Sequence, residues 1–285
     1  MPNTREIRGQ IESVSKTRKI TKTMELISMA KVRKASQKAS ESKDYSNEMK
    51  KIGDLVLSKI TDNSIHPLLQ KNSSKKTLAI ILSTDRGLCG GLNTSLFSYF
   101  LHWAQGKKDL SVITIGKKGK EFAIRSGLDS VAGFNAFSKE INLGDIFPIS
   151  SIVSEKYLAN EFGEVYLFYM SFVNLAVQKS VGIRILPLER SEIDIDIHKD
   201  SDLDFIFEPS VRSIVDYLVP KLFEFQIFRA SMESFASEQA SRMIAMKNAS
   251  DNAKDMIDDL TLNFNKARQG QITKEIAEIV SGSTS

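Results

Sequence analysis

The sequence predicts an α/β fold in which a small α/β domain is inserted between two long helices that pair as an antiparallel coiled coil. No proline occurs between Pro2 and Pro67 or after Pro220, and eleven of the fifteen glycines lie between residues 87 and 182. Proline and glycine interrupt helices, so the two ends of the chain can form long helices and the middle holds the turns. We expect three parts: residues 1–60, 77–205 and 210–285.

The N-terminal segment, about Asn3 to Ile60, is predicted to be one helix. Its apolar residues recur at intervals of four and three, which is typical of a helix with one packed face. The spacing then changes phase, giving two successive stripes: Ile7, Ile11 and Val14, followed by Ile20, Met24 and Ile27. At 1.5 Å per residue such a helix would be ~87 Å long.

The C-terminal segment carries the clearest coiled-coil pattern. Alternating steps of four and three residues from Val211 to Ala267 visit seventeen positions, of which fourteen are apolar. A heptad pattern sustained for three or four repeats already favours a coiled coil. Because a proline ring clashes with an uninterrupted helix, we expect a short helix from about Ser210 and the long one beginning at Pro220. After Ala267 the stripe changes phase to Ile272, Ile276 and Ile279.

The middle of the chain alternates strand and helix patterns, which predicts a Rossmann-like α/β domain. Short apolar runs that suit buried parallel strands precede helix patterns near 93–105 and 117–125, and a third helix pattern, near 144–161, precedes a further run. The predicted strands are Leu78–Leu82, Ser111–Gly116 and Val165–Val173, the last pairing with Val181–Leu188.

The sequence contains no recognisable active site. The loop Asp85–Asn93 lies where phosphate-binding loops occur, but it matches neither common glycine motif, so a tight turn that contacts a partner is the better interpretation. The single Cys89 excludes an intramolecular disulfide and is expected to be buried. The three histidines are scattered, and the acidic run 194–204 lacks the glycine of a calcium loop. We expect no cofactor and no metal.

A basic stretch stands out against the mild overall charge of +4. Between Lys16 and Lys38 there are eight basic residues against Glu25 alone, a local net charge of +7. The stretch has no interleaved aromatic residues that could stack on bases, which argues against nucleic acid. Contact with acidic protein groups or a solvated flank of the coiled coil explains it better.

Two long helices can cover each other only in part, since one heptad pattern is weak, so a rod of this kind should be enclosed by another protein. A rod without an active site that is enclosed by another protein is therefore the interpretation that the residues favour. A structural or nucleic-acid-associated coiled-coil protein is the alternative, and a nucleotide-binding enzyme built on the inserted domain is a third.

Four motifs in order along the chain resemble the gamma chain of F-type ATP synthase. They are Arg5–Arg8 through Ile20–Glu25, Gly87–Asn93, Ala236–Met243, and Ile257–Gln269 with Ile272–Thr273. The resemblance implies a central rotor shaft without an active site, which couples proton flow through a membrane ring to conformational cycling of the catalytic beta subunits. It also implies four partners: the alpha and beta subunits of an alpha3-beta3 hexamer, the epsilon subunit and the c-subunit ring.

The resemblance further assigns contact residues. Those implied to face the beta subunit are Lys22, Met24, Glu238, Arg242, Arg268, Gln269 and Thr273, and those of the loop that faces beta and epsilon are Gly87, Cys89 and Gly90. Arg268, Gln269 and Thr273 resemble the family's catch near the tip of the shaft. The implied location is peripheral, on the cytoplasmic face of the bacterial inner membrane, with membrane contact only through partners. Gly270 departs from the alanine or serine that is usual in the family, and Ile27–Met29 is bulkier than usual.

Overall fold

The computed structural model describes residues 4–58, 66–107, 109–137, 141–188, 208 and 210–282, for residues 38–58, 211, 281 and 282 in their backbone alone. The chain divides into two compact units. A helical unit comprises Met1–Ala30 and Arg242–Ser285, and a sheet unit comprises Lys31–Ser241. The acidic run 194–204 and His198 lie outside the described residues. The three-part division of the chain at 1–60, 77–205 and 210–285 stays a prediction.

The chain has a long helix in its N-terminal part and another in its C-terminal part, as predicted. Helix α1 is Thr4–Ser58 and helix α5 is Val211–Gly282. The break expected at Pro220 is wrong, because α5 runs through this proline. Pro220 removes one backbone donor from the helix. The neighbouring side chains of Leu218, Val219 and Phe223 are buried in the core, and their packing holds the helix together across the missing hydrogen bond.

The sheet unit contains five strands in the order β3-β2-β1-β4-β5. The strands are β1 Thr77–Leu82, β2 Leu110–Ile115, β3 Asp129–Phe134, β4 Glu164–Phe172 and β5 Gln178–Leu186. The first four are parallel, and β5 returns antiparallel to β4 with Val181 opposite Tyr169. The hairpin predicted between the last two strands is confirmed, whereas the edge strand β3 was not predicted.

Helices cover both faces of the sheet. Alternate residues of β1 point to opposite sides, so Leu78 and Ile80 belong to one core and Ala79 and Ile81 to the other. The first core is closed by α4 (Leu143–Leu158) and the early part of α5, and the second by α2 (Leu92–Ala104) and α3 (Lys117–Arg125). The predicted Rossmann-like layering is confirmed.

In the helical unit the start of α1 packs against the later part of α5, which makes the pair antiparallel. Thr4 Oγ1 donates a hydrogen bond to Gln271 Oε1 at 3.3 Å. From Met246 to Ala267 the buried and half-buried residues of α5 are, apart from Ala249, the predicted heptad positions: Met246, Ser250, Ala253, Ile257, Leu260, Phe264 and Ala267. Beyond them every residue from 271 to 280 is exposed, including Ile272, Ile276 and Ile279.

Candidate functional site

The outer face of α1 between residues 20 and 29 is apolar, and its inner face is polar. Thr21, Glu25 and Ser28 are buried, whereas Ile20 is 61% exposed and Ile27 is 52% exposed. The buried positions continue the four-and-three spacing of Ile7, Ile11 and Val14, so the phase shift predicted from the sequence is wrong. An exposed apolar stripe on a helix that has already packed its other face is typical of a protein-binding surface.

The two implied contact residues on this segment differ in their surroundings. Met24 is half-buried, and Lys22 is exposed. The ammonium of Lys22 donates to both carboxylate oxygens of Glu25 at 3.0 Å, and the Glu25 side chain is 8% exposed. One positive charge of the stretch, that of Lys22, is therefore neutralised by a carboxylate of the same helix. The other cations between Lys16 and Lys34, among them Arg18 and Lys19, are exposed.

We expect Lys22→Ala to lower the free energy of unfolding by about 1–3 kcal/mol, because it removes the ammonium that compensates a nearly buried carboxylate. The matched control is Lys16→Ala. Lys16 pairs with Glu12 at 2.8 Å, but both side chains are highly exposed (71% and 69%), so this substitution should leave the unfolding midpoint unchanged. Urea unfolding of both variants measures the difference, and equal midpoints would show that the Lys22–Glu25 pair does not stabilise the helical unit.

The implied catch residues lie on the last part of α5. Arg268, Gln269 and Thr273 are all exposed. The Thr273 hydroxyl donates to the backbone carbonyl of Gln269 at 2.9 Å, so it is held against its own helix. Gly270 lies between them in helical conformation with open space where a Cβ would stand. Three polar side chains are thus presented to solvent on adjacent turns.

The second implied contact divides between the two units. Glu238 is half-buried at the end of the sheet unit, where its carboxylate accepts from Gln239 Nε2 at 3.3 Å. Arg242 is buried, at 8% exposure, at the beginning of the α5 part of the helical unit. Their implied common role in a contact with beta stays a prediction.

The glycine loop, residues 85–93, is a rigid turn between β1 and α2. Leu88 and Gly90 both adopt left-handed backbone conformations, with φ of 62° and 57°, and between them the Cys89 thiol is buried, as expected. Gly87, Gly90, Gly91 and the Leu88 side chain are exposed. A leucine in this backbone region is unusual, and such strain persists only where surrounding contacts hold it.

Side-chain hydrogen bonds fix the two ends of this loop. Asn93 Nδ2 donates to Thr84 Oγ1 at 2.7 Å, and Asp85 Oδ1 accepts from the amides of Lys117 and Ala136, both at 3.0 Å. These bonds tie the loop to α2, α3 and the segment after β3. The loop therefore presents a preformed surface rather than an adaptable one.

The crevice where this class of sheet binds nucleotides is occupied by α5. In open α/β sheets the ligand lies beyond the carboxyl ends of two strands whose connections leave in opposite directions, here β1 and β4. At that place the hydroxyls of α5 residues Ser237 and Ser241 bond to Met170 of β4 and to Cys89 in the loop after β1. Beside it, where β1 and β2 end, α5 leaves a cavity of about 20 Å³. That space suits about one water molecule.

Sequence reasoning missed the α5 residues that fill this crevice. Ser237 is fully buried and Ser241 is half-buried, and both make hydrogen bonds to the sheet unit's own backbone. The heptad pattern points to Ala236 and Gln239, which are buried as well. The small size of the two serines, next to the apolar stripe, is the only signal in the sequence that another element approaches closely.

Among the described residues there is no group of three or more histidine, cysteine, aspartate or glutamate side chains that could hold a metal ion. Within that same part of the chain, no helix combines the length and the apolar character needed to cross a membrane.

Solved structures with the same fold include rotor subunits of ATP synthases. A chain from the rotor of the Euglena gracilis mitochondrial ATP synthase is 19% identical, with a TM-score of 0.68, and the match covers 94% of this chain and 98% of that one. A chain from the central stalk and c-ring structure of the Tetrahymena thermophila mitochondrial ATP synthase is 22% identical, with a TM-score of 0.59. That match covers 81% of this chain and 99% of that one. At these identities the likeness establishes the fold.

Sequence relatives extend over the whole chain. The ATP synthase gamma chain of Pelotomaculum thermopropionicum is 40% identical over 284 residues, 99% of this chain and 98% of that one. The ATP synthase gamma chain of Glaesserella parasuis is 39% identical over 289 residues, 99% of each. A family model described as ATP synthase matches residues 3–285. The chain belongs to the ATP synthase gamma chain family.

Proposed function

We propose that this chain is the central rotor shaft of a proton-translocating F-type ATP synthase, coupling ion flow through a membrane ring to the conformational cycle of the catalytic subunits. The observation that carries the proposal is the apolar outer surface of the helical unit. Its exposed large apolar side chains on α1 are Ile20, Leu26, Ile27 and Met29, and those on α5 are Met256, Leu262, Ile272, Ile276, Ile279 and Val280.

A surface of this kind favours enclosure by other proteins. Burying one large aliphatic side chain is worth about 1.5–3 kcal/mol when it is fully removed from water. The partner we propose is a hexamer of alternating alpha and beta subunits, whose central passage would accept the paired helices. The shaft presents different side chains in different directions, so each beta subunit would meet a different face. That difference is what a rigid shaft needs in order to bias three two-state subunits unequally.

The proposed contacts with beta use side chains of both long helices. Lys22 and Met24 would meet an acidic segment of beta, with Arg18 and Lys19 adding positive charge beside them. A second group, Arg268, Gln269 and Thr273, would form the catch near the end of α5. A third, Glu238 with Arg242, would form a further contact with beta.

The sheet unit is proposed to contact the other parts of the rotor. The glycine loop, with Gly87, Cys89 and Gly90, would face beta and epsilon, and the unit as a whole would rest on the c-subunit ring. Membrane contact would be made through these partners alone, on the cytoplasmic face of the bacterial inner membrane. We propose that the chain itself has no catalytic activity, since α5 lies in the crevice where a nucleotide would bind.

Reconstitution with purified alpha and beta subunits tests the rotor function. We expect one copy of this chain to join a hexamer and to yield an ATP-hydrolysing complex that elutes as a single species. Failure to assemble under conditions where a related gamma chain assembles would exclude the rotor function. Equilibrium dialysis of the isolated chain with ATP tests the competing enzyme hypothesis, and binding in the micromolar range would revive it.

We expect Gln269→Leu to weaken assembly and coupled ATP synthesis about ten-fold. The leucine cannot form the hydrogen bonds that we propose between the Gln269 amide and beta, so a polar group of beta would be left unpaired. Gln269 is exposed, so helix content and thermal midpoint should not change. Asn263→Leu, another exposed amide on α5, is the control for added apolar surface. Synthesis by Gln269→Leu membranes at the wild-type rate would remove Gln269 from the catch.

A further inference from the structure

Three polar side chains of α5 attach this helix to β4 and to the loop after its neighbour β1. Glu233 Oε2 accepts from the hydroxyl of Ser171 at 2.8 Å, and the Ser237 hydroxyl donates to the carbonyl of Met170 at 2.9 Å. One turn further on, the Ser241 hydroxyl donates to the carbonyl of Cys89 at 2.6 Å. All of these residues belong to the sheet unit.

The spacing of the three residues makes a continuous row. Residues four apart lie on the same side of a helix, about 6 Å from one another along its axis, so the row extends over about 12 Å. Its first two bonds reach consecutive residues of β4, and the third reaches the loop that follows β1, the parallel neighbour of β4. The row therefore joins the two strands at the point where their connections diverge.

The acceptor at Cys89 is positioned by the unusual backbone of the glycine loop. The left-handed residues on either side, Leu88 and Gly90, turn the Cys89 carbonyl so that it accepts from Ser241 Oγ and from the amide of Leu92 at 3.3 Å. A Cβ at Gly90 would lie 3.7 Å from Ser241 Oγ, in ordinary van der Waals contact. One carbonyl thus links the beginning of α2 to α5.

The middle of the row is shielded from water, whereas Glu233 and Ser241 at its two ends are half-buried. Ser237 is fully buried, and Met170 and Cys89 are buried as well. Burial, with a contribution from the nearby Glu233 carboxylate, raises the pKa of Tyr169 to about 12, so its phenol stays neutral beside the row. Glu233 is also held by Arg229 Nε at 3.1 Å, which fixes the carboxylate for its bond with Ser171.

We propose that Glu233, Ser237 and Ser241 are positioning residues that fix the rotational and axial register of α5 on the sheet, and that turning force passes between the sheet and α5 through them. This inference rests on the proposed rotor function. Apolar packing is non-directional and permits sliding, whereas hydrogen bonds to fixed carbonyls hold one register. The helix takes the place that a bound ligand occupies in related folds, so the sheet binds α5 there instead of a ligand.

The test compares the double variant Ser237→Ala/Ser241→Ala with Ser231→Ala. Ser231 is a matched control, since it lies on the same helix, is buried, and donates to its own helix at the carbonyl of Ile227. Ser241→Thr retains the hydroxyl and should restore the behaviour that Ser241→Ala loses. Each chain is assembled into the full complex in membrane vesicles, and protons pumped per ATP hydrolysed are measured together with hydrolysis by the detached soluble complex.

We expect the double variant to lower the ratio of protons pumped to ATP hydrolysed at least about two-fold, with soluble hydrolysis unchanged. In the isolated chain, amide exchange in residues 85–93 should accelerate about five-fold, which corresponds to one lost hydrogen bond. Ser231→Ala should alter neither quantity. A structural defect alone would lower assembly and hydrolysis together and would leave the ratio unchanged, which would overturn the positioning role.

Two failures are distinguishable. If the wild-type chain does not assemble with alpha and beta subunits, the rotor function is wrong and the force-transmitting role falls with it. If the wild-type complex pumps normally and the double variant has the same pumping ratio as Ser231→Ala, the rotor function stands and the positioning role is overturned. Unchanged amide exchange in residues 85–93 would also overturn it.

Discussion

Gly116→Ala is expected to lower the free energy of unfolding by about 3 kcal/mol or more. Gly116 follows β2 with φ of 98° and ψ of 143°, a backbone conformation that residues with a Cβ rarely adopt. A Cβ here would lie 2.5 Å from the carbonyl oxygen of Ser83, and this neighbour is backbone at the end of β1. Two strands would have to separate at their carboxyl ends to make room.

Gly127→Ala separates the two causes of this loss. Gly127 also has a positive φ, 63°, but nothing lies within 4 Å of the position that an alanine methyl group would take, so only the backbone preference opposes alanine, by about 1–2 kcal/mol. Thermal unfolding of both variants compares them, and for a chain of this size each kcal/mol shifts the midpoint by about 2–4 °C. If Gly116→Ala is no less stable than Gly127→Ala, the close approach to Ser83 is not a constraint on the fold.

The elements that could be predicted from sequence are those whose own pattern decides their structure. The heptad positions of α5 from Met246 to Ala267 are all buried or half-buried, because one partner helix covers one regular stripe. The strands β1, β2 and β4 are apolar runs buried by helices on both faces of the sheet. In these segments local composition and tertiary packing agree.

Strand β3 was missed because its position at the edge of the sheet leaves little trace in its composition. Asp129–Phe134 pairs with β2 on one side only, and its residues are exposed or half-buried. The strand also contains Gly133, a residue type that is unfavourable in strands. The strand forms because β2 supplies backbone hydrogen-bond partners, and the local sequence pattern of 129–134 contains no sign of that pairing. Pro220 is the converse case, a local helix breaker overruled by the packing of its neighbours.

The candidate site was only partly predictable for a different reason. The apolar residues Ile20 and Ile27 suggest a packed stripe, yet they face outward, and Thr21, Glu25 and Ser28 are buried in their place. A periodicity argument assumes that apolar residues pack within their own chain. Where apolar residues are covered by another protein, that assumption fails, and we propose that Ile20 and Ile27 are residues of this kind.

Replacing both exposed isoleucines, Ile20→Glu with Ile27→Glu, is expected to weaken assembly with alpha and beta subunits at least about 100-fold, a change of about 2.7 kcal/mol. Enclosure would remove two carboxylates from water, and unpaired charges in an interface are opposed by several kcal/mol. The isolated chain should unfold at the wild-type midpoint, since both side chains are more than half exposed in it.

The matched control places the same charges on the sheet unit. Ile124 and Leu158 are exposed to a similar degree, 68% and 50%, on α3 and at the end of α4. Ile124→Glu with Leu158→Glu should assemble as the wild-type chain does, because the proposed hexamer encloses the helical unit. Size-exclusion chromatography across a range of subunit concentrations gives both affinities. If the α1 pair assembled as tightly as the control pair, the outward apolar stripe would have no role in enclosure. A loss of assembly in the α1 pair alone would show why the apolar side chains of residues 20–29 face outward: a partner protein covers them.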